Sequence, residues 1–368
     1  MNLPISFSGI TRLPCLDGWR CISIIIVLIA HSREVSGFHS SWDRWVRWLP
    51  DGHFGVEVFF VISGFLITYL LFREREKNGG INLKEFYVRR VLRIFPAYFS
   101  YLIVVLILTI VTSVKLSPLH WLSSLSFTVN YAKPPWIMGH LWSLSVEEQF
   151  YLIWPLLLII LSHSKRFTPK KIIGLLLMPV FSAPIFRIIG YIHPNSIAFG
   201  KHSFLTCWDS LAIGCLLAVL LCSFGYEIEA FFKKRPSVPF LFGTLLIAIP
   251  LIATRLQVVG IFTVPFTITC NAIGVALLIA LSLIYHDKFK ILDCRPLAFI
   301  GVTSYSIYLW QQLFCASPFT YGLIKSPFFM SFPFWIVSAL VAAFLSYHFI
   351  EKPFLKLKSS RHLRDGQH

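Results

Sequence analysis

The chain is poor in charge. Asp and Glu number only 17 in 368 residues, and charged residues of both signs make up 14%, against roughly 25% in an ordinary soluble domain. That shortage excludes a conventional water-soluble globule. Paired cysteines are missing too. The eight cysteines (15, 21, 207, 215, 222, 270, 294 and 315) are scattered, with no CxxC and no metal-ligand spacing. They read as small core residues, so neither a metal site nor a disulfide framework is expected. No cleavable leader is evident, because residues 1–15 lack a basic n-region and a small-residue cleavage site. No internal repeat of convincing length is visible, although an inverted-repeat transporter would often show one.

What the chain has in abundance is apolar sequence. It is 56% hydrophobic, with a mean hydropathy of +0.71, and its apolar runs reach the ~20 residues a bilayer span needs. The expected fold class is all-α, a polytopic transmembrane helix bundle. About ten spans are expected, near 17–35, 54–72, 97–114, 141–161, 172–191, 204–224, 237–254, 259–285, 297–317 and 330–350. They form one domain over 1–355, followed by a basic cytoplasmic tail over 356–368 that suits anionic headgroups. With the N-terminus in the cytoplasm, 24 of the 33 Lys and Arg residues fall on the cytoplasmic side and nine on the other. That bias supports ten spans with both termini inside. It also accounts for the net charge of +16 without nucleic acid as a partner.

Ionisable residues are expensive in a bilayer and usually face a bundle interior or a wet cavity. The first span, LDGWRCISIIIVLIAHS (16–32), carries Arg20 and His31. Eleven positions on a helix are about three turns, roughly 16 Å of rise, so both side chains share one face. The charge count puts Arg20 at the cytosolic end and His31 toward the outside. Asp17, one turn before Arg20, is placed to pair with it. The second span, GHFGVEVFFVISGFLIT (52–68), holds Glu57, and Ser63-Gly64 reads as a packing site. The basic segment after it, FYVRRVLRIFPAYF (86–99), brings together Arg89, Arg90 and Arg93, which on a helix are one-turn neighbours. Guanidinium pairs bidentately with phosphate, so the cluster is a candidate phosphate site. The fourth span opens HLWSLSVEEQFYLIWP (140–155). Its Glu147 shares a face with Tyr151 and is expected at the depth of His31, where a carboxylate would serve a general base. Asp209, Gln311, Gln312, His348 and Glu351 read as packing residues or interfacial caps.

Together these segments resemble the acyltransferase 3 family of bacterial integral-membrane acyltransferases, over nearly the whole chain. LDGWR…H resembles its arginine–histidine signature, GVEVFFVISGFLI its second-span motif, and FYVRRVLRIFPAYF its basic motif. HLWSLSVEEQFYLIWP resembles its glutamate motif, and SYSIYLW (304–310) and FIEKPF (349–354) its closing motifs. Two positions depart. The family often has histidine where this chain has Gln311, so no catalytic role is given to that position, and Glu57 stands where aspartate is common.

The resemblance implies O-acylation in the bacterial cytoplasmic (inner) membrane. An acyl group, usually acetyl, moves from acyl-CoA (acetyl-CoA) to a hydroxyl of a surface polysaccharide, lipopolysaccharide or related glycan. On that reading His31 is the general base or transient acyl carrier, Glu147 orients it or stabilises its protonated form, and Arg20 positions CoA or the thioester. Arg89, Arg90 and Arg93 bind the CoA phosphates. No hydrolase-like domain is expected after the last span, so the chain is expected either to do without one or to use a separate periplasmic partner. The rival expectation from the residues alone is a transporter or flippase using Arg20, His31 and Glu147 as a proton relay.

Overall fold

The computed structural model describes residues 13–33, 35, 37–38, 40–162, 168–258, 260, 262–323, 325 and 327–357. Residues 358–368 of the expected tail lie outside the described residues. Regular structure among the described residues is entirely helical. In chain order the helices are α1 (Leu16–Ser32), α2 (Ser40–Val46), α3 (Gly52–Asn78), α4 (Leu83–Val111), α5 (Pro118–Leu125), α6 (Trp136–Gly139) and α7 (Leu141–Ser162). They continue as α8 (Pro169–Ile192), α9 (Phe204–Lys234), α10 (Ser237–Arg255), α11 (Thr263–Ile284), α12 (Arg295–Phe314) and α13 (Phe334–Ser346). A π-helical turn, Tyr347–Glu351, prolongs α13.

Eight helical segments are long and apolar enough to cross a membrane: Gly52–Asn78, Leu83–Val111, Trp136–Ser162, Pro169–Ile192, Phe204–Lys234, Ser237–Arg255, Thr263–Ile284 and Phe334–Leu357. The protein is an all-α, multi-pass membrane helix bundle. The other two expected spans coincide with helices α1, of 17 residues, and α12, of 20, which are not among those eight. Exposed Phe181, Ile185, Ile188 and Ile192 on α8, and Ile103, Leu106, Ile107 and Ile110 on α4, give these helices apolar outer faces suited to lipid.

The chain divides into two compact units. The first comprises Met1–Ser23, His53–Ile81 and Trp142–Gly301, the second Ile24–Gly52, Asn82–Leu141 and Val302–His368. In the first unit α3 and α9 cross with their backbones in contact. A Cβ added to Gly64 would collide with the Leu211 carbonyl, and one on Gly214 with the Val61 carbonyl. Small residues permit such crossings, and dispersion at close range stands in for the hydrophobic effect that lipid does not supply. Helix α9 runs ten residues beyond its expected end. It kinks at Phe224 (φ −132°, ψ 26°), where the apolar run gives way to GYEIEAFFKK.

The first unit also buries Arg187, one of the nine basic residues assigned to the non-cytoplasmic side, within α8. Its Nη2 bonds Asp209 of α9 at 2.5 Å, its Nη1 bonds Thr269 Oγ1 and the Pro265 carbonyl of α11, and its Nε bonds the Thr206 carbonyl. Asp209 also accepts from Thr269 at 2.6 Å. Three helices are pinned by one guanidinium whose three nitrogens all find acceptors.

Candidate active site

Helix α1 starts at Leu16, after Cys15 with φ of 64°. Asp17 in its first turn complements the positive end of the helix dipole. Asp17 pairs with Arg20 at 3.1 Å, as the i,i+3 spacing predicts. The same end is fastened within the first unit by Trp19 Nε1 donating to Ser282 Oγ (3.0 Å) and Cys15 N donating to Asp293 Oδ1 (2.7 Å). Burial, together with the Asp293 carboxylate beside it, pushes the Cys15 thiol up to about 12, so it remains protonated and is no nucleophile.

The other end of α1 carries His31 in the second unit. Here α6 breaks off at His140, whose N–H turns back to the Met138 carbonyl. The break leaves backbone carbonyls in search of donors. Tyr101 OH takes Ile137 O (2.6 Å), Tyr308 OH takes His140 O (2.9 Å), and Gln312 Nε2 takes Trp136 O (2.8 Å). From Gln312 the chain continues to His31. Gln311 Nε2 donates to Gln312 Oε1 at 3.0 Å, and Gln311 Oε1 lies 2.8 Å from His31 Nδ1.

The direction of this chain is fixed at its far end. A backbone carbonyl only accepts, so Gln312 must turn its NH2 toward Trp136 and its oxygen toward Gln311. Gln311 must then turn its oxygen toward His31. His31 Nδ1 is therefore protonated, and in the neutral ring Nε2 carries the lone pair. The Cys315 thiol also donates to Gln311 Oε1 (3.1 Å), and the Trp136 ring meets the imidazole edge-on at 5.4 Å between centroids. A Cβ added to Gly52 would stand 3.9 Å from Nε2. Gln311→Leu, which removes the acceptor but keeps the bulk, is expected to lower turnover about 10–100-fold. Gln311→Glu, which still accepts from Nδ1–H, should stay well above it. Initial rates of the two variants check this.

Glu147 lies in the first unit, on α7. It accepts hydrogen bonds from Ser63 and, at 3.0 Å, from Tyr151. Ser63 thus holds a carboxylate as well as packing, while Gly64 is the close-approach site its sequence suggested. The structure gives Gln311, a position denied a catalytic role above, the direct contact with His31 Nδ1.

The basic segment is helical. Asn82 caps α4, accepting from Glu85 N, and the helix runs unbroken past Pro96. Arg89 pairs with Glu85 at 3.0 Å on a part-exposed face. Arg93 faces the buried carboxylate of Glu351, which accepts from Ser306. Among the described residues no cluster of His, Cys, Asp and Glu suits a metal ion.

Two features escaped the sequence reading. The amide chain links residues 280 positions apart, His31 and Gln311, and its only trace was the Gln311-Gln312 pair in an apolar span. The second feature lies in the first unit. His53 Nδ1 bonds Glu57 Oε1 at 3.0 Å, and Asn271 Nδ2 donates to Glu57 Oε2 at 2.9 Å. The i,i+4 spacing of His53 and Glu57 was legible, but nothing local pointed to Asn271.

Residues 13–350 match the family model of the acyltransferase domain, acyltransferase 3. The chain belongs to the acyltransferase 3 family. It is 32% identical over 94% of its length to O-acetyltransferase OatA of Staphylococcus aureus (strain NCTC 8325 / PS 47), covering 57% of that protein. It is 30% identical over 94% of its length to peptidoglycan O-acetyltransferase OatA of Listeria monocytogenes, covering 56% of it. The chain thus spans little more than half the length of these curated relatives. No solved structure matches it.

Proposed function

We propose that this acyltransferase 3 chain is an O-acetyltransferase of the bacterial cytoplasmic membrane, moving acetyl from acetyl-CoA to a glycan hydroxyl. Peptidoglycan sugars are the first candidate acceptor, since one relative is named for that substrate. The observation that carries the reading is the amide chain behind His31, which puts a proton on Nδ1 and leaves Nε2 basic and nucleophilic. A nitrogen so prepared can take the proton of an attacking hydroxyl, or accept the acyl group itself. In direct transfer the acceptor oxygen bonds to the acyl carbon and the C–S bond breaks. The departing CoA thiolate then recovers the proton from Nε2. Through either course the Nδ1–H bond to Gln311 persists.

The remaining residues take roles that follow from their charge. Arg20 positions the donor. Glu147, its carboxylate held by Ser63 and Tyr151, stabilises positive charge developing in transfer, while ring orientation falls to Gln311. Arg89, Arg90 and Arg93 on α4 bind the CoA phosphates. Arg89→Ala/Arg93→Ala is expected to raise KM for acetyl-CoA about tenfold or more while kcat changes little, each lost charge-assisted bond being worth roughly 1.5–3 kcal/mol.

The deciding experiment is thiol release from acetyl-CoA by the purified protein with a glycan acceptor. Acceptor-dependent release supports the transferase. Glycan movement without release would favour the transporter reading.

A further inference from the structure

The first unit contains a second histidine prepared for acid–base work. Asn271 on α11 and His53 on α3 grip the two oxygens of Glu57, whose carboxylate is buried. The His53 ring is stacked against Trp142 (5.3 Å between centroids, 16° between planes) and His202 (5.9 Å, 20°). Trp142 and His202 also stack on each other at 4.3 Å. The imidazole is therefore fixed in plane and in direction. Glu57 accepts a hydrogen bond from Nδ1–H, so in the neutral ring Nε2 carries the lone pair. Nε2 is buried, and among the described residues it has no hydrogen-bond partner. The Cys207 thiol lies beside the ring. His202, outside the spanning helices, is pushed down to about 3 by burial; it stays neutral and does not compete for the proton.

A network serving only to hold helices together closes on itself, because an unmet buried polar atom costs free energy. The Arg187–Asp209–Thr269 network in the same unit does close: all three guanidinium nitrogens and both Asp209 oxygens are used. The Asn271–Glu57–His53 series is built with the same expensive groups and stops one bond short. The atom left over is a nitrogen lone pair backed by a carboxylate.

We propose that His53 is a hydroxyl-activating base, with Nε2 receiving the O–H of the acyl acceptor and Glu57 and Asn271 holding the ring in its basic tautomer. The proposal rests on the acyl-transfer reading above and adds an acceptor-side residue to it. The acceptor O–H donates to Nε2 and its proton passes to the ring. This step belongs to the course in which an imidazole, rather than the hydroxyl, takes the acyl group first: the oxygen bonds to the carbonyl carbon of the acyl-imidazole, the C–N bond breaks, and the leaving imidazole nitrogen takes the proton. Because Glu57 stands behind it, His53 gains charge compensation on protonation that the neutral Gln311 amide cannot offer His31. An anionic ligand would be repelled by the same carboxylate, so the fitting class is a neutral hydroxyl, as on a sugar.

The test compares two nucleophiles on the full-length protein in detergent, with acetyl-CoA as donor. One is an N-acetylglucosamine oligomer, whose hydroxyls need a base. The other is hydroxylamine, which needs none. In His53→Gln, transfer to the oligomer should fall at least about 100-fold while acetyl-hydroxamate formation stays within about threefold of wild type. In Glu57→Gln, transfer to the oligomer should fall about tenfold with the same selectivity. Loss of both reactions in equal measure, in both variants, would show His53 to be structural and overturn the proposal, as would undiminished transfer to the oligomer. A wild-type protein that acetylates neither nucleophile would instead defeat the acetyltransferase reading itself.

Discussion

His31→Ala abolishes glycan acetylation while the protein remains in the membrane at wild-type amount. The size of the loss follows from what the imidazole does. A positioned general base contributes about 10²–10⁴-fold to a rate, and no second group on the Gln311–Gln312–Trp136 chain can replace it, since those groups are neutral amides and a carbonyl. Folding should be little affected, because His31 is only half-buried and lies in the last turn of α1. The helix itself is anchored at the opposite end by Cys15–Asp293 and Trp19–Ser282. Acetyl ester content of purified glycan, set against the amount of protein detected in membranes, reads both quantities. An ester content near wild type would remove His31 from the reaction.

Asp209→Leu has an equally large effect of a different kind: the folded protein is lost. The Arg187–Asp209 pair has side chains 5% and 0% exposed. Removing one partner strands the other as an uncompensated charge among α8, α9 and α11. Breaking a buried pair in this way costs about 3–5 kcal/mol, whereas replacing both members by apolar groups is often near neutral. The double variant Arg187→Leu/Asp209→Leu is therefore expected to recover much of the yield and thermal midpoint that Asp209→Leu loses. Fluorescence-detected size exclusion of detergent extracts after a heating series measures this. Equal damage in single and double variants would mean that the bonds from Arg187 to the Thr206 and Pro265 carbonyls, rather than its charge balance, hold the three helices.

These two sites also show where sequence reading succeeds and stops. Relations inside one helix were open to it, because helical geometry converts spacing into contact. Asp17–Arg20 and Glu147–Tyr151 pair as their spacings require. Hydropathy located the long apolar helices, and it ended the 204–224 span where α9 kinks at Phe224 and runs on to Lys234. Relations between helices were closed to it. Nothing in the sequence says that Gln311 reaches His31 across 280 positions, or that Asn271 reaches Glu57 across 214. Comparison with the family pattern even pointed away from Gln311, because glutamine is not histidine. The physical requirement at that position is an acceptor for Nδ1–H, which an amide oxygen meets. Arg187 was placed by its charge, yet burial with a matched acceptor for every nitrogen overrides the rule that sorts Lys and Arg to the aqueous sides.

In the proposed transfer the reacting nitrogen is Nε2 of His31. Nitrogen-15 spectra of histidine-labelled protein, with the His31 signals assigned by their absence in His31→Gln, observe that atom directly. The structure predicts a neutral ring protonated on Nδ1, and loss of that preference in Gln311→Leu. A His31 ring protonated on Nε2 in the wild-type protein, unchanged by Gln311→Leu, would contradict it.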